Sequence, residues 1–480
     1  MKINERKNIM EKRPGYLSQD AMERLHEGSL RLLENKGVVF QSEAACELFR
    51  RNGARVDGET AYIPRALVEA CLKQVPPAFK LTAVNDRRSV TVGEGLAIHP
   101  AGGEVFILTA DGQRREGVLR DYANFQKVYQ SCDNIDMTGY QPGYASDKPP
   151  GIRGLCCLKE TMAYTDKPWL APMDYVGGKE KERIMDMYGV VLGDGFLKDN
   201  YVTWNVVCPE SPLKYDRKSC ESMISFSEYN QPTALVSAPM SGITSPVFPY
   251  ASVLLQNTEA LAGICLVQLI KPGIPVLPSA SLTYGNLKLA TWECACPDSA
   301  LMLSAAVQMY REFYKLPARA QTGVTSSKSI DYQAGFETMQ SLLLTALMGV
   351  NVTSQSVGTL ENLLTVSLEK TLIDDEIISR VRRIASGFDT SEEALGIKII
   401  EDTPHGKDFL THDSTLDHYK EGWSESISDW NRYEHWARLP ERDIVPRAAA
   451  KVQEIIDSAP VLLSVGAIGD LDRYISKCSL

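Results

Sequence analysis

The sequence is short of the signatures that mark most enzyme classes on sight. No G-x-G-x-x-G follows a predicted strand and no G-x-x-x-x-G-K-[ST] occurs, which disfavours dinucleotide and nucleoside-triphosphate enzymes. No apolar run approaches the length of a membrane span. The first thirteen residues, MKINERKNIMEKR, are charged and lack the apolar core of a secretory signal. Eleven cysteines include no C-x-x-C pair; Cys156-Cys157 and Cys294-Ala-Cys296 come nearest. Their apolar company, as in ALAGICLVQLI around Cys265, predicts buried reduced thiols and hence a cytoplasmic protein. Basic residues are outnumbered, 51 against 61 acidic, for a net charge of −10. That balance excludes a basic nucleic-acid footprint. Neither a nucleic-acid nor a membrane partner is expected.

What is present is an ordinary soluble composition: 480 residues, 44% hydrophobic and 23% charged. Such a chain can bury a large core. Residues 1–80 predict a helical N-terminal extension. AMERLHEGSLRLLENKG stops at Gly37, Ser42 is placed to cap EAACELFRRNG, and IPRALVEACLKQVPP opens at Pro64. Over 81–120 the period changes to two, with Asp111-Gly112 as a turn, which predicts a small β-hairpin element without a catalytic role.

From Asp121 onward, short β-branched runs alternate with helical patterns. The predicted strands are 135–140, 168–175, 201–208, 232–239, 275–281, 318–324 and 349–355. Seven β-then-α steps within 121–403 favour an α/β fold of the (β/α)8 TIM-type barrel over a doubly wound sheet. GIKIIED (396–402) is the candidate eighth strand, and 404–480 reads as a helical C-terminal tail.

Histidines 405, 412 and 418 are spaced by seven and six residues, which matches neither a helical pair nor H-E-x-x-H. A metal-dependent barrel enzyme using His405, His412, His418 and a cysteine (Cys294 or Cys296) stays as an alternative; the main reading assigns no metal. His99 and His26 stand alone and read as surface or hydrogen-bonded side chains. The strand ends carry Tyr140, Gln141, Asp174, Asn205, Cys208, Ser237, Ser281, Tyr284, Thr322, Ser326, Ser327, Asp331, Gln333, Gln355, Ser356 and Glu361. A barrel brings strand ends to one rim. The set offers hydrogen bonds and aromatic faces but few groups that titrate near neutrality. It suits a pocket that positions a substrate rather than one that shuttles protons, so no residue is assigned as catalytic.

Four segments in order resemble one family: NGARVDGETAYIPRALVEACLKQVPPAF, SGITSPVFPYASVLLQNTEALAGICLVQLIKPGIPV, DYQAGFETMQSLLLTALMGVNV, and a tail with STLDHYKEGW and NRYEHW. They are similar to the trimethylamine methyltransferase family from about residue 20 to 460. The resemblance implies a barrel that moves a methyl group from an amine to the cobalt of a corrinoid carried by a separate small protein. Founding members insert pyrrolysine before their D-x-Q-A motif. Here VTSSKSI (324–330) precedes Asp331-Tyr332-Gln333-Ala334 and holds only standard residues. That departure implies the non-pyrrolysine branch and a quaternary amine such as glycine betaine, proline betaine or carnitine. Tyr140, Trp204 and Tyr284 become candidate members of an aromatic cage. Ser326, Ser327, Lys328 and Gln333 become candidate carboxylate or cation-side contacts, with Asp331, Gln355 and Glu361 beside them. No D-x-H-x-x-G is present, so no corrinoid is expected in this chain. A cognate corrinoid protein and a homo-oligomeric state are expected instead. A non-catalytic quaternary-ammonium binder is the other alternative.

Overall fold

The structure, a computed structural model, describes residues 15–172 and 178–479. Eight short parallel strands organise it: β1 Ala97–Ile98, β2 Thr138–Gly139, β3 Trp169–Leu170, β4 Asn205–Val207, β5 Thr233–Ser237, β6 Val276–Ala280, β7 Arg319–Gln321 and β8 Val352–Ser354. Six form one sheet in the order β4-β5-β6-β7-β8-β1, and β2 pairs with β3. The two groups meet at two places. The Asp136 N–H donates to the Ile98 carbonyl at 3.1 Å, and the Ala171 N–H donates to Thr203 Oγ1 at 3.1 Å. The protein is thus an α/β fold whose principal strands are parallel and alternate with helices. All seven predicted strand regions contain a parallel strand. Asp174, one of the strand-end candidates, lies outside the described residues.

The remaining parallel strand is not where periodicity placed it. Residues Ile397–Asp402 are helical, opened by Gly396 at φ 63°. Ile397 and Ile400 are exposed there, so the segment has no sheet to join. Its expected place is taken by β1, which pairs with β8 through Val352–Ala97 and Thr353–Ile98. The element at 81–120 is therefore more than a hairpin. Only Phe79–Leu81 with Val90–Val92, and Phe106–Leu108 with Arg114–Glu116, form antiparallel pairs.

The first of these pairs has a structural task. Phe79, Leu81, Val90 and Val92 pack with Ala97, Met137, Leu170, Ala234, Leu277 and Val352 into one buried cluster. Side chains alternate along a strand, so Leu277 and Ser279 share a face of β6, as do Val352 and Ser354 of β8. Along that face the character changes from apolar to polar toward the carboxyl ends. The hairpin covers the apolar end, and the polar end is where chemistry can be placed.

The N-terminal extension contains the three expected helices, Gln19–Asn35, Glu43–Arg51 and Arg65–Gln74, the second capped by Ser42. It is not purely helical. Strands Arg55–Asp57, Thr60–Tyr62 and Val38–Phe40 pair antiparallel, and the last adds Lys214–Tyr215 in parallel. Their nucleus is the stack of Phe40 on Tyr215 at 5.3 Å. Helix Pro249–Ile270 is apolar on all sides because it is covered on all sides. It lies between the N-terminal helices and strands β5 and β6. Contrary to the expectation that no apolar run approaches a membrane span, this helix, alone among the described residues, has that length and hydropathy, and 83% of its apolar window is buried inside the protein. The C-terminal tail is helical as expected, with Ile444–Ser458 and Val465–Cys478 its longest elements.

Candidate active site at the carboxyl ends of the parallel strands

Three aromatic rings from three strands converge at the polar end. Tyr140 follows β2, His99 follows β1 and Trp204 precedes β4. The His99 and Tyr140 ring centroids are 4.2 Å apart, His99 and Trp204 are 6.4 Å apart, and Trp204 Nε1 donates to the Tyr140 hydroxyl at 3.5 Å. All three side chains are buried.

The backbone beneath them is held in a costly conformation. Tyr140 has φ 56° and Gln355, just past β8, has φ 58°. Left-handed conformations of non-glycine residues cost about 1–3 kcal/mol each and persist only where the surroundings enforce them. Both residues pack against the 99–104 loop at Gly102. A Cβ at Gly102 would stand 2.5 Å from the Tyr140 Cβ, so only glycine lets the two chains come so close. The Gly102 carbonyl accepts from Gln355 Nε2 at 2.8 Å, and the Gly103 N–H donates to the Gln141 carbonyl at 2.9 Å. One loop, 99–104, therefore fixes the ends of β2 and β8.

Arg319, from β7, crosses the interior below the rings. Its Nη1 donates to Ser279 Oγ at 2.7 Å and its Nη2 donates to Ser354 Oγ, while the Tyr140 hydroxyl lies beside it. Burial, and then the Arg319 charge, push the His99 pKa well below its ordinary value, so the imidazole is neutral. Neither of its nitrogens has a hydrogen-bond partner among the described residues. Glu104 accepts from the Gly102 N–H at 3.2 Å, and burial pushes its carboxyl up to about 8. Glu104 Oε2, Gln141 Nε2 and Ser281 Oγ are also buried without partners among the described residues. The site is therefore aromatic, mostly uncharged at neutral pH, and rich in unspent hydrogen-bonding groups.

A pH dependence follows from Glu104. Its folded pKa lies above the ordinary 4.5, so the folded state holds a proton that the unfolded state releases. The stability it contributes is full below 4.5 and is lost as pH rises through about 8. Glu104→Gln cannot titrate. The stability of the native chain relative to this variant should fall between pH 5 and pH 8.5, as read by chemical denaturation.

Of the residues the sequence offered as site candidates, Tyr140 and Trp204 meet, and Gln355 joins them through Gly102. Tyr284 instead packs partly buried against a cluster containing Met302 and Leu303. Glu104 and Arg319 are not among the sequence candidates, and His99, read there as a surface or hydrogen-bonded side chain, is buried with neither nitrogen partnered among the described residues. The available signal was a short apolar run passing into a glycine loop, AIHPAGGEV, and an arginine within the predicted strand ARAQTGV. The tail histidines do not assemble. His412 pairs with Ser414, His418 pairs with Glu421, and His405 is exposed. Among the described residues no three His, Cys, Asp or Glu side chains come together as a metal-binding group.

The sequence matches the profile of the trimethylamine methyltransferase (MTTB) family over residues 3–477. The chain belongs to the trimethylamine methyltransferase family. It is 32% identical to a glycine betaine methyltransferase of Desulfitobacterium hafniense (strain Y51), over 92% of each chain. It is 26% identical to an L-carnitine:corrinoid methyltransferase of Eubacterium limosum, over 79% of each chain. Its fold resembles the monomethylamine methyltransferase of Methanosarcina barkeri, with TM-score 0.56 and 11% identity, covering 94% of this chain and 89% of that one.

The loop that carries pyrrolysine in founding trimethylamine methyltransferases consists here of VTSSKSI, which fits the non-pyrrolysine branch of the family. It is tied down from both sides. Glu337 accepts from Thr325 Oγ1 at 2.6 Å and from the Ser326 N–H at 2.8 Å. Ser326 Oγ bonds Asn362 Oδ1 at 3.0 Å and Glu293 Oε2 at 3.2 Å. Asp331 caps helix Tyr332–Leu347 by accepting from the Ala334 N–H, and it also accepts from the Ser327 and Ser329 hydroxyls. Gln333 pairs with Glu337 at 3.0 Å. Glu361 accepts from Arg114 Nε at 2.8 Å. Lys328 is exposed and donates to the Ser326 carbonyl at 2.7 Å. Ser326, Ser327, Asp331, Gln333 and Glu361 thus form a rigid wall, separate from the His99–Tyr140–Trp204 cluster.

Proposed function

We propose that this chain moves a methyl group from a quaternary amine of the betaine class to the corrinoid of a separate protein, within a (β/α)8 barrel. The barrel reading is supported by the strand order β4-β5-β6-β7-β8-β1, by the Asp136–Ile98 backbone bond and by the β2–β3 pair that fills the gap. The observation that carries the function is the triple of buried aromatic rings at the polar end of the interior, with no ionised base among them.

A quaternary nitrogen has no lone pair and no proton, so acid–base groups cannot activate its methyl. As the C–N bond breaks, nitrogen keeps the bonding pair and leaves as a tertiary amine; reduced cobalt of the partner's corrinoid, as methyl acceptor, supplies the new pair to carbon. This chain's residues hold and orient. Tyr140 and Trp204 present ring faces to the trialkylammonium, worth about 0.5–2 kcal/mol each. Neutral His99 extends that surface without adding a repelling charge. Gly102 and Gln355 hold Tyr140 in register, and the hairpin at 79–92 excludes water from below. The wall formed by Ser326, Ser327, Asp331, Gln333 and Glu361 shapes the mouth, with Lys328 exposed on it.

The reading also includes a cytoplasmic location, a homo-oligomer, and a corrinoid carried by the partner rather than by this chain. All eleven cysteines being free supports the first. The test is a substrate panel with a cognate corrinoid protein in the Co(I) state, following the cobalt absorbance. Glycine betaine, carnitine or proline betaine should discharge the Co(I) signal only when both proteins are present. A response to trimethylamine with none to any quaternary amine, or demethylation by this chain alone, would overturn it.

A further inference from the structure

We propose that Arg319 is the carboxylate anchor of the substrate site, which restricts the chain to methylated ammonium carboxylates over methylated amines that lack an acid group. The inference rests on the quaternary-amine reading above and adds the residue that would decide among such amines.

Arg319 is 3% exposed and occupies the middle of the strand interior. An arginine side chain stays protonated in proteins. Yet the side chains it donates to are two hydroxyls, Ser279 and Ser354, with the Tyr140 hydroxyl beside it. Among the described residues no carboxylate pairs with it, and its Nε has no partner. Of the other buried basic groups, Arg153 donates to the Ala145 and Lys148 carbonyls and stacks on the Tyr144 ring. Lys370 is paired with Asp374 at 2.6 Å, and Lys167 donates to two backbone carbonyls while burial pushes its pKa down to about 8. A buried charge without a counter-ion is strongly disfavoured, so one that persists beside a ligand site points to an anion supplied by the ligand.

The neighbours fit that role. Glu104, the acid of the 99–104 loop, is kept protonated by burial and so is not an anion at neutral pH. His99 is neutral and adds no second cation. Tyr140 touches both halves of the site: its hydroxyl lies by Arg319 and its ring lies against His99. An anion locus and an aromatic cation locus are therefore one side chain apart. A short zwitterion whose carboxylate and trialkylammonium are separated by a few bonds spans that distance. A bare alkylammonium would instead bring a second positive charge toward the guanidinium, with nothing to offset it.

Three probes separate the two loci by titration calorimetry on the full chain. Glycine betaine carries both charges. Its carbon isostere 3,3-dimethylbutyrate carries only the carboxylate, and tetramethylammonium carries only the cation. The native chain should bind 3,3-dimethylbutyrate in competition with glycine betaine. Arg319→Gln should weaken both by about thirtyfold or more, the usual effect of removing one partner of a buried charged pair. Tetramethylammonium binding should not weaken, and Arg319→Lys should fall between. Equal weakening of all three probes, or no change for 3,3-dimethylbutyrate, would overturn the proposal. If Arg319→Gln does not fold, the native chain still decides: failure of 3,3-dimethylbutyrate to compete rejects the anchor. Binding is read without the corrinoid protein, so a failed methyl-transfer panel and a failed anchor are distinguishable.

Discussion

Gly102→Ala should lose methyl transfer while keeping its fold. The added Cβ would lie 2.5 Å from the Tyr140 Cβ and 2.9 Å from the nearest ring atoms, so Tyr140 must move. Tyr140 cannot retreat cheaply, because its backbone is already left-handed and its hydroxyl is engaged with Trp204. A displacement of about 1 Å at a positioning residue costs on the order of 100-fold in rate. We expect kcat/KM for a quaternary amine to drop by about that factor, with glycine betaine binding weakened in parallel. Gly151→Ala is the matched control. Nothing lies within 4 Å of its Cβ position at the start of helix Pro150–Tyr164, so it should leave activity and fold unchanged. Unaltered activity in Gly102→Ala would remove Tyr140 from the site.

Lys370→Met should be the most destabilising of the substitutions considered. Lys370 and Asp374 lie one turn apart on helix Leu368–Ser386, 2% and 1% exposed, with Nζ 2.6 and 2.9 Å from the two carboxylate oxygens. The same carboxylate accepts from the Gly358 N–H at 2.7 Å, and Lys370 also donates to Thr338 at 3.0 Å. The pair thus joins the helix to the loop after β8, just beyond Gln355. Removing one partner of such a pair costs about 3–5 kcal/mol, because the other charge stays buried alone. Denaturant unfolding should show that loss, and Lys370→Met combined with Asp374→Leu should recover most of it. The sign with pH is determined as well. Burial already raises the Asp374 pKa, and Lys370 is the main group opposing that rise. Without Lys370 the folded pKa climbs further, so the variant's deficit should grow as pH rises and shrink toward pH 5.

Much of the architecture is written in local periodicity. The alternation of β-branched runs with longer helical patterns located β2 through β8, because a strand buried on both faces is apolar along its length. The caps Ser42 and Asp331 and the Pro-opened helices are likewise local chemistry. The strand β1 escaped because it is two residues long and sits among glycines, where no period can develop. GIKIIED has a strand-forming composition, but a strand needs an open edge, and β1 had already closed the one beside β8.

The site divides along the same line. The family, the absence of nucleotide and metal motifs, and the candidacy of Tyr140 and Trp204 follow from the amino-acid sequence by itself, since each depends on residue order or on type at a strand end. Only the tertiary structure brings His99 and Gly102 against Tyr140, some forty positions later in the chain, and sets Arg319 between Ser279 and Ser354. A lone histidine, glutamate or arginine carries no spacing signal. Its meaning comes from burial and from the charge it meets or lacks, and those are properties of neighbours distant in sequence. The same physics separates the VTSSKSI loop, whose hydroxyls are consumed by Glu337, Asp331 and Asn362, from an interior that keeps unpaired polar groups among the described residues.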